Sequence, residues 1–152
     1  MQILQRGSGN SSHTTLGQFT IIAQHQDRSS SSGGGGGGAD CSSAIDLVDG
    51  DANFANTTAT VELDLTGVCD LGQFGNDILY KSLWFRWTCL ESGNYVASTC
   101  NQATYDTRLA IFENDCQFSN IVGCLDDTPG CSGFTQRISF TAEAGNDYYL
   151  CV

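Results

Sequence analysis

The feature that most constrains this chain is its cysteines. Eight of them stand at Cys41, Cys69, Cys89, Cys100, Cys116, Cys124, Cys131 and Cys151, and none precedes residue 41. No two form the C-x-x-C pair of zinc ribbons and dithiol redox sites, so an even count at irregular intervals reads as a disulfide framework. Disulfides persist in oxidising compartments, which points to an extracellular or cell-surface protein. The fold must bring distant loops within bonding reach, and 152 residues suffice for one domain with a real core.

Ahead of the cysteines the chain changes character. Residues 29 to 38 read SSSSGGGGGG, a low-complexity run that buries no apolar surface and loses the most backbone entropy on ordering. The organisation expected is an extension over 1–28, a Ser/Gly linker over 29–39, and a disulfide-rich domain over 40–152. Within the extension, LGQFTIIAQ (16–24) reads as a strand. Left exposed it would aggregate, so it is expected to dock. Its own domain is the favoured site; donation to a neighbouring subunit, in a homo-oligomer or filament, is the alternative. MQILQRGSGNSSHTT holds no apolar signal-peptide core, and no run reaches the roughly 18 apolar residues of a membrane span. With NDYYLCV stopping inside an apparent strand, the chain reads as a segment of a longer secreted precursor, or one whose signal has been removed.

After residue 40 the pattern is β. ATVELDLT (59–66) alternates Val61, Leu63 and Leu65 with Glu62 and Asp64, the period-two signature of a half-buried strand. SLWFRWTC, YVASTC, TRLAIFE, RISFTAEA and DYYLCV follow, rich in β-branched and aromatic residues and bounded by Gly, Asn, Asp and Ser. No segment sustains a helical period for three turns. The fold class expected is all-β: a disulfide-stapled antiparallel β-sandwich, jelly-roll or immunoglobulin-like, behind a low-complexity tail.

The charge and the missing side chains narrow the chemistry. The net charge of −11 falls wholly on residues 41–152, where fifteen acids face only Lys81, Arg86, Arg108 and Arg137. Such a surface repels phosphate backbones and anionic membranes, so neither nucleic acid nor membrane is expected as a partner. Both histidines, His13 and His25, precede the domain, which removes Ser-His-Asp and Cys-His catalysis and imidazole-built zinc sites. Lys81 and Ser82 have the composition of a Ser-Lys pair, but adjacent strand residues point to opposite faces, and a solvent-facing lysine is the favoured reading. Carboxylates remain. Asp126 or Asp127 with Asp106 or Asp115 has the composition of a glycosidase pair, but the short loops imply no deep cleft, and aspartates in turns accept backbone hydrogen bonds on that ground alone. Calcium, which takes six to eight oxygens from flexible loops, is the one cofactor these residues suggest, at Asp106, Asp126 and Asp127. Trp84, Trp87, Tyr95, Tyr105, Tyr148 and Tyr149 have the composition of a sugar-stacking platform, but strand aromatics usually fill a core. Asn10 and Asn56 stand in N-x-Ser/Thr sequons and are candidate glycosylation sites.

Taken together, WFRWT, NYVASTC, YDTRLAIFENDC, VGCLDD and RISFTAEAGNDYYLCV resemble the secreted β-sandwich module known as the bacterial pre-peptidase C-terminal domain and its relatives in algal extracellular proteins. The landmarks run in that family's order from about Cys41 to Val152. The resemblance implies a jelly-roll-like module without catalytic activity, whose aspartates, here Asp106, Asp126 and Asp127, pin loops or in some relatives lie near calcium. The chain departs from the pattern at Cys89, near the glycine that usually follows the first aromatic strand, and at Cys151 in the final strand. Those two departures suggest a Cys89–Cys151 bond; Cys41–Cys69, Cys116–Cys124 and Cys100–Cys131 are favoured for the rest, among 105 connectivities. The function expected is a non-catalytic structural or adhesive unit of a larger surface protein, filament or matrix, partnered by other extracellular subunits. The alternative is a carbohydrate- or protein-binding module that targets an attached enzyme.

Overall fold

The computed structural model describes residues 17–23, 38–47, 50–54, 60–71 and 77–152. The sequons at Asn10 and Asn56 lie outside them. The described residues form eleven strands: β1 (Gly17–Ala23), β2 (Ile45–Leu47), β3 (Gly50–Phe54), β4 (Leu63–Asp64), β5 (Ile78–Leu79), β6 (Trp84–Thr88), β7 (Gly93–Ser98), β8 (Arg108–Glu113), β9 (Ile121–Asp126), β10 (Arg137–Ala142) and β11 (Asp147–Cys151). Among the described residues there is no α-helix, only short 3-10 turns at Cys41–Ser43 and Phe118–Asn120.

The strands form a four-stranded sheet in the order β10-β7-β1-β3, a five-stranded sheet in the order β2-β6-β11-β8-β9, and a β4-β5 pair. One apolar cluster joins the two larger sheets. Phe85 and Trp87 of β6, Leu109 and Ile111 of β8, and Tyr148 and Leu150 of β11 meet Tyr95 and Ala97 of β7 and Ile138, Phe140 and Ala142 of β10. Trp87 is the hub, with ring centroids 4.6 Å from Tyr95, 5.6 Å from Tyr148 and 6.3 Å from Phe140. These tilted and edge-on arrangements suit the ring quadrupoles.

The alternate residues of the same strands are buried too. Trp84, Ala110, Phe112 and Cys151 face a second cluster with Leu65, Cys69, Leu71 and Leu79 from the segment before β6. The five-stranded sheet is therefore covered on both faces, which is why Leu109, Ala110, Ile111 and Phe112 are all fully buried in succession. The alternation read in residues 61–65 is present as well: Leu65 is buried and Glu62 and Asp64 exposed, although only Leu63–Asp64 pairs as strand.

Three expectations are corrected. First, the sheets are not wholly antiparallel, because β2 runs parallel to β6 at the edge of the five-stranded sheet. Second, the disulfides are Cys41–Cys116, Cys69–Cys124 and Cys100–Cys131, with Cα separations of 6.3, 6.3 and 5.0 Å; only the last matches the favoured pairing. Cys124 stands opposite Ala110, well inside the β8-β9 ladder. Cys116 lies out in the connecting turn, roughly 10 Å or more along the strands at 3.3 Å per residue, beyond disulfide reach. Cys124 instead meets Cys69 in the second cluster. Third, Cys89 and Cys151 are buried thiols. They sit at opposite ends of the β6-β11 ladder, Cys151 beside Trp84 and Cys89 beside Asn146, about five residues or 16 Å apart. Burial pushes the Cys151 thiol up to about 12.

β1 pairs antiparallel with β7 on one side and β3 on the other.

Two outcomes follow for the staples. Alkylation in denaturant without reductant, followed by peptide mapping, is expected to label Cys89 and Cys151 alone. Replacing Cys69 and Cys124 together by alanine is expected to lower stability by about 4 kcal/mol in urea denaturation, the loop-closure value for a separation of 55 residues.

Candidate metal centre

Asp106 belongs to the loop entering β8, Asp126 is the last residue of β9, and Asp127 follows it. The structure brings the three together: a carboxylate oxygen from each lies within 4.8 Å of the others. The β8-β9 register is the first cause. Arg108 and Asp126 are directly opposed, and Arg108 Nε donates to Asp126 Oδ2 at 3.0 Å. Arg108 also donates through Nη1 to the Ile78 carbonyl at 2.7 Å, fixing its guanidinium between two layers. The second cause is the backbone at Asp127. Neighbouring strand residues point to opposite faces, but Asp127 has φ +46°, a left-handed conformation that aspartate tolerates better than most residues. The alternation breaks there, and both carboxylates converge on Asp106.

The surrounding loops are fastened together. Cys100–Cys131 joins the loop after β7 to the loop before β10. Beneath it, Thr99 and Thr107 share a hydroxyl hydrogen bond of 2.7 Å, and Gln136 donates its backbone N–H to Thr99 Oγ1 at 3.0 Å. Thr107 N donates to the Phe134 carbonyl and Thr128 N to the Thr135 carbonyl, while Asn101 Oδ1 accepts from the backbone and hydroxyl of Ser132. Sequence reasoning did not find this Thr99-Thr107-Gln136 network. Its only signal is polar residues flanking strand ends, which is what any loop looks like.

The electrostatics are unfavourable as they stand. Three carboxylates face one guanidinium. Partial desolvation at the rim raises the Asp106 carboxyl above the usual aspartate range, and the charges of Asp126 and Asp127 add to this. Asp126 is also raised, by burial first, against the pull of Arg108. Its side chain is only 8% exposed, yet Asp126 Oδ1 and Asp127 Oδ1 are buried without a hydrogen-bond partner, as are Tyr105 Oη and Gln136 Oε1. A buried oxygen left without a donor costs on the order of 1–3 kcal/mol, more when charged. All-oxygen donors with excess negative charge suit a hard divalent cation; thiolate and imidazole, which select zinc, are lacking. Asp106 is solvent-exposed and gives an ion access from the rim.

The other candidates lie elsewhere. Asp115, past the opposite end of β8, accepts from Gln117 N and Asn120 Nδ2, so it cannot pair with Asp126. Lys81 is exposed, while Ser82 is buried with its hydroxyl on the Leu79 carbonyl. Of the six aromatic residues considered for stacking sugars, Trp84, Trp87, Tyr95 and Tyr148 are in the core, and Tyr105 and Tyr149 are partly buried against it.

Opposite effects are expected from two substitutions, read by thermal melting in chelator. Asp106→Asn removes repulsion and raises the melting temperature. Arg108→Gln leaves a buried carboxylate uncompensated and destabilises by about 3 kcal/mol. No protein-family model matches the chain, and neither a curated protein nor a solved structure matches it.

Proposed function

We propose that this chain is a non-catalytic structural or adhesive module of a larger extracellular protein, filament or matrix, stiffened at one end by a calcium ion held by Asp106, Asp126 and Asp127. The observation that carries the reading is the convergence of three carboxylates around buried oxygens that no donor satisfies. Three disulfides support an oxidising compartment. The two sheets on one shared core support a β-sandwich of the jelly-roll kind, in keeping with the resemblance to pre-peptidase C-terminal modules. Burial of most of the candidate stacking aromatics weighs against the carbohydrate-targeting alternative.

Calcium here would act by neutralising charge and joining two loops, with no chemical step. A ligand that binds only the folded state stabilises it by about 2.7 kcal/mol at a hundredfold excess over its dissociation constant. Melting in calcium against chelator is therefore expected to show an increase of several degrees, lost in an Asp106→Asn, Asp126→Asn, Asp127→Asn variant. An unchanged melting temperature in the native chain would remove the cation from the reading.

The pH dependence has a definite sign. A carboxyl whose folded pKa lies above its unfolded value favours folding when protonated. In chelator, the contribution of Asp106 and Asp126 to stability rises as pH falls from their raised values toward the ordinary 3.8. Calcium competes with those protons, so its stabilisation is expected to be full above the raised values and to fade as pH falls through them.

A further inference from the structure

We propose that β1 is an exchangeable strand, passed between copies of this chain so that Gly17–Ala23 of one copy fills the place between β7 and β3 of another. The inference rests on sheet geometry and staple positions and is independent of the cation site.

β1 is an internal strand, with Thr20 to Ala23 opposite Ser98 to Tyr95 on one side and Gly17 to Ile21 opposite Phe54 to Gly50 on the other. Its described ties are two backbone ladders. All three disulfides close loops within residues 41 to 131, so β1 lies outside every covalent staple. Among the residues whose burial is described, Phe85, Trp87, Leu109, Ile111, Tyr148 and Leu150 of the five-stranded sheet pack on Tyr95, Ile138 and Phe140 of β7 and β10, contacts that do not run through β1. Departure of β1 would leave that body stapled, with β7 still paired to β10 and presenting one open edge. An open sheet edge is a template for an added strand.

The tether permits the exchange. Residues 24–37 connect β1 to Gly38, and fourteen extended residues reach roughly 50 Å. A body of this size is only about 35 Å across, so a neighbour's slot is within range. GQFTIIA carries no charge, whereas the net −11 belongs to residues 41–152. Two bodies repel each other at close approach, and a neutral strand crosses between them without adding to that repulsion. A tether of this length holds its strand at an effective concentration of roughly millimolar. A copy's own strand therefore wins in dilute solution, and exchange becomes competitive at the packing densities of a filament or matrix.

The test uses full-length chains. Ile22 and Val96 are directly paired. A chain carrying Ile22→Cys is mixed with a chain carrying Val96→Cys, equilibrated at concentrations from about 10 μM to about 1 mM, and oxidised. The Ile22→Cys, Val96→Cys double variant and the analogous Gln18→Cys with Asn53→Cys pair across β1 and β3 serve as parallel readouts. The result expected is an intrachain bond in each double variant, and in the mixtures a heterodimer linked at the paired positions whose yield climbs at least tenfold over that range. Double variants that close internally, with no linked heterodimer in either mixture at the highest concentration, would overturn the proposal. So would failure of both double variants to close, because β1 would then not occupy the slot.

Discussion

Everything in this molecule depends on a five-stranded sheet that is apolar on both sides. Its three central strands present Phe85, Trp87, Leu109, Ile111, Tyr148 and Leu150 to one layer and Trp84, Ala110, Phe112 and Cys151 to the other. Fully burying a large apolar side chain contributes about 1.5–3 kcal/mol, so these strands hold a large share of the stabilising area. Double burial also fixes register. A one-residue slip would exchange the two sets, placing Trp84 where Phe85 packs and moving the Cys124 side of the ladder away from Cys69. The outer layer, described over residues 60–71 and 77–83, pairs as strand only at β4 and β5 among those residues. Cys69–Cys124 and the bond from Arg108 to Ile78 fasten it to the sheet.

The fixed sheet carries its precision to the strand ends. Arg108 and Asp126 are opposed by the ladder, Asp127 turns back because its φ is positive, and Cys100–Cys131 locks the adjoining loops. Carboxylates free to separate would do so; here the frame holds three of them within one ion's coordination distance. That is a cost to folding unless something positive shares it. Arg108 supplies one charge through a single oxygen of Asp126, leaving the other oxygen without a donor. Rigidity of the frame and the concentration of negative charge at its end are thus two sides of one arrangement.

Much of this was legible in the sequence, for identifiable reasons. The strands β6, β7, β8, β10 and β11 announce themselves because each concentrates aromatic and β-branched residues between turn formers. β9 was missed. Its Gly123 reads as a breaker, yet glycine is there because a Cβ would lie 2.9 Å from Ile138 Cγ2, where β9 closes on β10. The nearest-neighbour disulfide guess failed because short loops in sequence are not short distances when a cysteine sits inside a ladder. Of the favoured pairings only Cys100–Cys131 forms, joining the loop after β7 to the loop before β10. Asp106, Asp126 and Asp127 could be named as oxygen donors from residue type and from the resemblance, but the Arg108 partnership, the turned backbone at Asp127 and the unsatisfied oxygens are properties of packing and have no local signature.

Native-state hydrogen exchange, resolved by residue, addresses the central claim directly. If the doubly covered sheet is the frame, the amides of Phe85, Trp87, Ile111, Tyr149 and Leu150 exchange only through global unfolding, while β1 and β3 open at lower free energy. Exchange of the β6, β11 and β8 amides by local opening, as fast as those of β1 or β3, would contradict it.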